Sequence, residues 1–418
     1  MTPLTQVAKA QKALAPLAAS SGPSRDLFLW ELAGLLEKES RALLEANLAD
    51  VANAEAQGLS PALVDRLALN PQRIDELGQG LIGVSRLEDP LGAIEDMKRR
   101  PDGLMVGRAR VPLGLILFIC EARPGAALEA AGVALKSGNG IIVKPGKEAK
   151  ESSRVIGQII SRALDLAALP PEAATVLADL GRGELKELLA LEGQIDLVIP
   201  RGGEGLIRFV AENSRVPVLK HYRGVCHLYV DERADLDMAV KLIVNSKADR
   251  PGTCNALECL LAHRAVAPAL FALLAEEFPR RGVRVKAGPK AYPLIKDSLE
   301  GTEEAAADDF GREFLSLTLA AEIVEDLDEA LAFIRAHGSR HTEAIVTADQ
   351  AAAARFLREV DAGCVLANAS TRLNDGACLG LGAEIGISTD KLHAYGPMGL
   401  KELTTRKFIV IGEGHLRR

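Results

Sequence analysis

Cysteine is scarce in this chain, and what there is lies scattered. Six cysteines stand in 418 residues (Cys120, Cys226, Cys254, Cys259, Cys364 and Cys378), and none belongs to a CxxC pair. That usage excludes a disulfide scaffold. It also gives no zinc pattern, since structural zinc needs such a pair or a tight His/Cys cluster. Cys226 adjoins His227 without a second pair at ligand spacing, so no metal is expected. The cysteines read as small buried hydrophobes, with at most one exception. Long apolar runs are missing too. No stretch reaches ~18 apolar residues, which excludes a bilayer-spanning helix. The opening MTPLTQVAKAQKALAPLAAS lacks the apolar core of a signal peptide. There is no basic block, the formal net charge is −7 and the pI is about 5.7. Nucleic acid and anionic membrane surfaces are poor partners for such a chain. The expectation is a cytoplasmic globular protein of two or three domains.

The pattern that is present is regular. Residues 1 to about 90 read as helical, with Ser24 placed to cap a helix carrying Phe28, Leu32, Leu35, Leu36, Leu43 and Leu44. Ser60-Pro61 and Asn70-Pro71 each mark a stop followed by a new helix start. Asp102-Gly103 between two short runs predicts a β-hairpin. From residue 113 strands and helices alternate, with LGLILFIC, GIIVK, AATVLA, IDLVIP and VPVLK as the strands. Continuous apolar strands separated by helices predict a doubly wound parallel sheet. A second α/β unit follows from about 225, with VCHLYVD and GCVLANAS as strands and a helix opening just behind Cys254. KELTTRKFIVIGEG reads as a solitary strand, for which the hairpin near 100 is the candidate partner.

Three places carry candidate chemistry. In IDLVIPRGGEGLIRF a strand runs into Arg201, Gly202 and Gly203 and then a helix, where free backbone N–H groups favour an anion. The G-x-G-x-x-G pattern is absent, so the geometry would differ from the usual dinucleotide turn, and a plain tight turn explains the glycines equally well. Lys144 ends the strand GIIVK and Lys147 follows three residues later. Two cations at a strand's carboxyl end suit a ribose bearing a 2′-phosphate, and a solvated surface pair is the alternative. In ADRPGTCNALECLL, Cys254 follows an Arg-Pro-Gly turn and precedes a helical pattern. A helix amino terminus lowers a thiol pKa, and N–H groups there, helped by the Asn255 amide, could hold an oxyanion. Cys259 lies inside the apolar run and reads as core.

Taken together, VPLGLILFICEARPGAALEAAGVALKSGNGIIVKPGKEA, RPGTCNALE, SRHTEAIVT, ANASTRLNDG and LGLGAEIGISTDKLHAYGPMGLKELTT resemble the γ-glutamyl phosphate reductases, a branch of the aldehyde dehydrogenase superfamily. The resemblance runs from about residue 5 to the end. It departs at Gly125, Ala248, Cys378 and Tyr395, where the family usually has other residues. It implies two doubly wound α/β domains plus a small β oligomerisation flap. The cofactor domain would comprise 1–91, 113–224 and 365–394, the catalytic domain 225–364, and the flap 92–112 and 395–418. It implies NADPH-dependent reduction of γ-glutamyl phosphate to glutamate 5-semialdehyde through a Cys254 thioester, the second step of proline biosynthesis from glutamate. Lys144, Lys147, Arg201, Gly202, Gly203 and Glu313 would hold NADP(H), with Glu313 on the nicotinamide ribose. Arg123, Lys220, Asn368, Ser370 and Arg372 would meet the substrate, although Arg372 could instead be a salt bridge holding its loop. The stretch VPVLKHYRGVCHLYVD has no carboxylate before Asp231, where hydrolytic relatives carry a water-activating glutamate, and Lys220, His221 and Arg223 stand there instead. A homo-oligomer is implied, and association with the glutamate 5-kinase that makes the labile substrate is left open.

Overall fold

The computed structural model describes residues 2–417. The chain forms two compact units. One takes in everything up to Lys220, Gly380–Gly386 and the stretch from Met398 on; the other is His221–Leu379 with Ile387–Pro397.

The first unit opens with five helices, Pro3–Ala18, Gly22–Lys38, Ser40–Ala56, Pro61–Leu67 and Pro71–Ser85. Ser21, not Ser24, caps the second: its hydroxyl accepts the Ser24 N–H at 3.2 Å. Pro23 explains the shift, because its missing N–H costs nothing in a first turn. Asn70 caps the fifth as expected, accepting from the Arg73 N–H at 2.8 Å. Next come β1 (Ile94–Arg99) and β2 (Met105–Pro112), antiparallel around Asp102-Gly103. Gly103 sits at φ +91°, a conformation glycine adopts without strain.

β3 (Leu115–Cys120), β4 (Gly140–Lys144), β5 (Ala174–Val176) and β6 (Leu197–Arg201) form a parallel sheet in the order β5-β4-β3-β6. All six residues of β3 are buried, as a strand covered on both faces requires. VPVLK does not extend the sheet. It contributes one isolated bridge, Val218 to Val198, and Pro217 has no N–H to offer a ladder. Since β4 and β5 lie on one side of β3 and β6 on the other, the topological switch point falls at the carboxyl ends of β3 and β6.

The second unit is built on β7 (Cys226–Val230), β8 (Leu257–His263), β9 (Arg284–Ala287), β10 (Thr302–Glu304), β11 (Thr318–Val324), β12 (Thr342–Val346) and β13 (Cys364–Ala367). These lie in the order β10-β9-β11-β8-β7-β12-β13, every pair parallel. Leu270, Phe271, Leu274 and Phe278 of the helix Ala267–Arg281 pack into the core on one face. Tyr229, Cys259, Phe310 and Phe356 fill the other.

Two expectations are corrected here. The residues after Cys254 form the central strand β8 and no helix, since a short, fully buried apolar run has the same composition in either state. Residues 221–224, 365–379 and 387–397 belong with the second unit, and the pairing of β13 with β12 is what carries 365–367 there.

β14 (Gly386–Ser388) and β15 (Gly396–Met398) form a two-stranded ribbon. The last strand, β16 (Thr404–Ile411), pairs antiparallel with β2 from Thr404–Pro112 to Ile411–Met105, giving the sheet β1-β2-β16. The solitary C-terminal strand thus finds the partner expected for it. Among the described residues no helix is long and apolar enough to cross a membrane.

Candidate active site

Cys254 lies in the loop between the helix Leu236–Ala248 and β8. Because β8, β7 and β12 are neighbours and parallel, the residues that precede all three strands gather at one edge of the sheet. His221 and Gly224 come before β7, Cys254 before β8 and His341 before β12. The Cys254 Sγ and one ring nitrogen from each of His221 and His341 all lie within 4.8 Å of one another. The two imidazole rings meet edge to face, 5.3 Å between centroids.

Each ring is held from behind. His221 Nδ1 is 2.9 Å from the Ile387 carbonyl, which can only accept, so Nδ1 carries the proton and donates it. His341 is buried, with Nδ1 2.7 Å from the Thr342 hydroxyl. That hydroxyl in turn accepts from the Asn374 amide at 2.7 Å. His341 Nε2 has no hydrogen-bond partner.

Burial pushes the Cys254 thiol pKa up, but the imidazoles of His341 and His221 outweigh it and hold the thiol well below its ordinary value. The activating charge therefore comes from two histidines and not from a helix terminus. Glu313 is close enough to feel this thiol. Burial raises its pKa first and the Cys254 charge raises it further, while a hydrogen bond from the Gly224 backbone opposes both. Gly224 is the pivot of the arrangement: a Cβ on it would lie 2.0 Å from the Cys254 carbonyl oxygen.

Beneath the loop runs an ion pair that sequence reading did not find. Lys247 Nζ and Glu258 Oε2 are 2.7 Å apart, both side chains fully buried. Glu258 Oε1 also accepts the Leu315 N–H at 3.2 Å. Leu315, two residues beyond Glu313, sits at the strained φ of +52°. One carboxylate thus ties the end of the helix before Cys254 to the strand after it and to the Glu313 loop. His341 was likewise unassigned. Its only sequence signal is a histidine directly ahead of an apolar strand, and the pairing of β12 with β7 is what gives it meaning.

The remaining expected residues of this unit brace the loop. Asn255 Nδ2 donates to the Arg372 and Asn374 carbonyls at 3.3 and 3.0 Å, so its amide hydrogens are engaged in the protein. Arg372 donates to Asp249 at 3.2 Å, to Thr253 Oγ1 at 3.0 Å and to Asn255 Oδ1, clamping both flanks of Cys254. These bonds are the ones the loop-holding alternative for Arg372 calls for. Ser370 is buried against the Ser246 hydroxyl at 3.0 Å. Asn368, at φ +54°, accepts from the Thr347 N–H and donates to the Thr347 carbonyl, both at 2.9 Å.

In the first unit the expected cofactor residues collect at the strand ends. Burial raises the Cys120 thiol pKa to about 12 at the end of β3, and the cations Lys144, Arg201 and Arg123 act against that rise. Burial lowers the pKa of Lys144, and Glu148 is the first group to oppose it. Lys147 is exposed at the start of a short 3-10 turn. Gly203 caps the helix Glu204–Asn213, but its N–H already donates to Glu121 Oε2 at 2.9 Å. The cation cluster at the ends of β3, β4 and β6 therefore fits a phosphorylated ribose, whereas an anion at the Gly202-Gly203 turn has to displace Glu121. Lys220 closes the first unit, one residue before His221.

The chain is similar to proteins of known name over nearly all its length. A family model described as the aldehyde dehydrogenase family matches residues 5–291. Gamma-glutamyl phosphate reductase from a strain of Thermus thermophilus is 52% identical over 409 residues, covering 98% of this chain and 97% of that protein. The protein of the same name from Desulfatibacillum aliphaticivorans is 48% identical, covering 99% and 98%. The solved gamma-glutamyl phosphate reductase of Thermotoga maritima superposes with a TM-score of 0.94 at 41% identity, covering 99% of each chain. An acetylating aldehyde dehydrogenase from Geobacillus thermoglucosidasius, 16% identical over 99% of this chain and 97% of its own, shares the fold with a TM-score of 0.70. The chain belongs to the aldehyde dehydrogenase family and, within it, to the gamma-glutamyl phosphate reductases.

Proposed function

We propose that this protein reduces L-glutamate 5-phosphate to L-glutamate 5-semialdehyde and phosphate with NADPH, the second step of proline biosynthesis from glutamate. The observation that carries the reading is the Cys254 thiol held well below its ordinary pKa between His221 and His341. A thiolate attacks the acyl carbon of the mixed anhydride, the carbon–oxygen bond to phosphate breaks, and a thioester to Cys254 remains. The two imidazoles that stabilise the thiolate are placed to neutralise the departing phosphate and, when protonated, to give it a proton. Backbone N–H groups of the Cys254 loop are the donors for the carbonyl oxyanion, since the Asn255 amide is engaged elsewhere.

When bound, the nicotinamide cofactor supplies the hydride that reduces the thioester. Lys144 and Lys147 would hold its ribose 2′-phosphate, with the Arg201–Gly203 turn beside them and Glu313 on the nicotinamide ribose. Once the carbonyl carbon has accepted a hydride, Cys254 leaves as a thiolate and the aldehyde is released, with its charge again met by His221 and His341. Arg123, Lys220, Asn368, Ser370 and Arg372 are the residues that would anchor the substrate, and the last three also brace the loop around Cys254 through bonds within the protein.

The flap supports self-association. β16 is an edge strand, and Phe408, Val410 and Ile411 on it are 64%, 55% and 58% exposed. A second copy covering that edge would remove both the apolar surface and the unpaired backbone.

The reaction is tested in reverse by following NADP+ reduction with glutamate semialdehyde, with and without phosphate, and trapping the product with hydroxylamine. Phosphate-dependent turnover yielding the hydroxamate is expected. Phosphate-independent release of free glutamate at a comparable rate would mean that a carboxylate such as Glu313 activates water, and would overturn the reading.

A further inference from the structure

We infer that Cys254, His221 and His341 form a binding site for a zinc-class divalent cation, which closes the enzyme reversibly by taking its nucleophile. This rests on Cys254 being the nucleophile. One thiolate and two imidazoles are the donor set that selects zinc among common cations over magnesium or calcium, which prefer oxygen.

The donor atoms already lie within 4.8 Å of one another. Tetrahedral zinc, with bonds of about 2.0–2.3 Å to nitrogen and sulfur, needs them roughly 3.3–3.8 Å apart. Small side-chain movements suffice. The surroundings match what orients metal-ligating histidines, whose second ring nitrogen is normally held by a carbonyl or another polar group. His221 Nδ1 donates to the Ile387 carbonyl at 2.9 Å, and His341 Nδ1 rests on the Thr342 hydroxyl at 2.7 Å, itself anchored by Asn374. That leaves His341 Nε2, buried and partnerless, as the nitrogen available to a metal. Three protein ligands leave a fourth position for water or a phosphate oxygen. Binding requires thiolate and neutral imidazoles, so it releases protons and weakens as pH falls. A bound cation blocks attack on the acyl phosphate and shields the thiolate from oxidation.

Cobalt is the spectroscopic probe. Titrating the metal-free full-length protein with Co2+ should give a thiolate-to-cobalt charge-transfer absorption saturating at one cobalt per chain, and zinc should displace it. Zinc at the same stoichiometry should abolish turnover, and a chelator should restore it. Thr342→Val, which removes only the support behind His341, should weaken cobalt binding ~10–100-fold, and His221→Ala should weaken it at least as much. The absence of a thiolate band in the wild type at stoichiometric cobalt, or its persistence in Cys254→Ser, would overturn the inference. The spectroscopy needs no substrate, so failure of the metal-free enzyme to turn over sinks the function reading alone.

Discussion

Gly224 and Cys254 are in backbone contact: a Cβ added to Gly224 would fall 2.0 Å from the Cys254 carbonyl oxygen and 2.7 Å from its Cα. Neither atom is the flexible end of a side chain, so no rotamer change relieves the clash. Gly224→Ala should displace the nucleophile loop, cost about 1–3 kcal/mol as an overpacked contact, and cut turnover far more than it raises KM. Denaturant unfolding and steady-state kinetics measure both. Unaltered turnover in that variant would show that the loop position is not critical.

The two nearby cysteines should separate cleanly. Cys254→Ala should fold and lose turnover, whereas Cys259→Ala, in the core on β8, should retain it and cost about 1 kcal/mol for the lost buried atom. Burial raises the Cys259 pKa, so this thiol should also resist alkylation in the native state.

Because the folded-state pKa of Cys254 is lowered, its thiolate persists to lower pH than that of an ordinary thiol and is lost only as pH falls through the depressed value. Iodoacetamide modification should therefore stay fast well below the pH at which an ordinary thiol slows. His221→Asn should move the midpoint upward toward the ordinary value. A midpoint that does not move would assign the activation to His341 alone.

The buried Lys247–Glu258 pair predicts a characteristic cycle. Burial disfavours the charge on both groups, raising the Glu258 pKa and lowering that of Lys247. Removing one partner leaves the other uncompensated and should cost roughly 3–5 kcal/mol, while Lys247→Met with Glu258→Leu should recover most of it. Turnover should not recover in the double variant, because Leu315 loses the carboxylate that holds its N–H beside Glu313. Full recovery of turnover would make the pair purely structural.

Cofactor preference should follow position. Lys144 is half-buried at the end of β4 and Lys147 is exposed. A charge-assisted contact to a 2′-phosphate is worth ~1.5–3 kcal/mol. Lys144→Ala should raise the KM for NADPH by ~10-fold or more, Lys147→Ala by less, and neither should change the KM for NADH comparably. Equal losses with both cofactors would move the 2′-phosphate elsewhere.

Much of this protein was legible in its sequence, because it depends on local pattern. Continuous apolar runs such as LILFIC and VCHLYVD declared buried parallel strands, Asp102-Gly103 declared its hairpin, and Pro-Gly-Thr-Cys marked the candidate nucleophile. The resemblance of long C-terminal blocks supplied the reaction. What the sequence could not specify was anything set by which strands become neighbours. His221, Cys254 and His341 are separated by dozens of residues, and only the order β8-β7-β12 brings them to one edge. The same order turned the run after Cys254 into a central strand, so the charge that activates the thiol had to come from side chains and not from a helix dipole. Arg372 shows the limit most plainly. As a residue type a guanidinium suits a substrate carboxylate, but tertiary packing set it against Asp249, Thr253 and Asn255. A side chain's chemistry is intrinsic to its residue, whereas its partner is chosen by the fold.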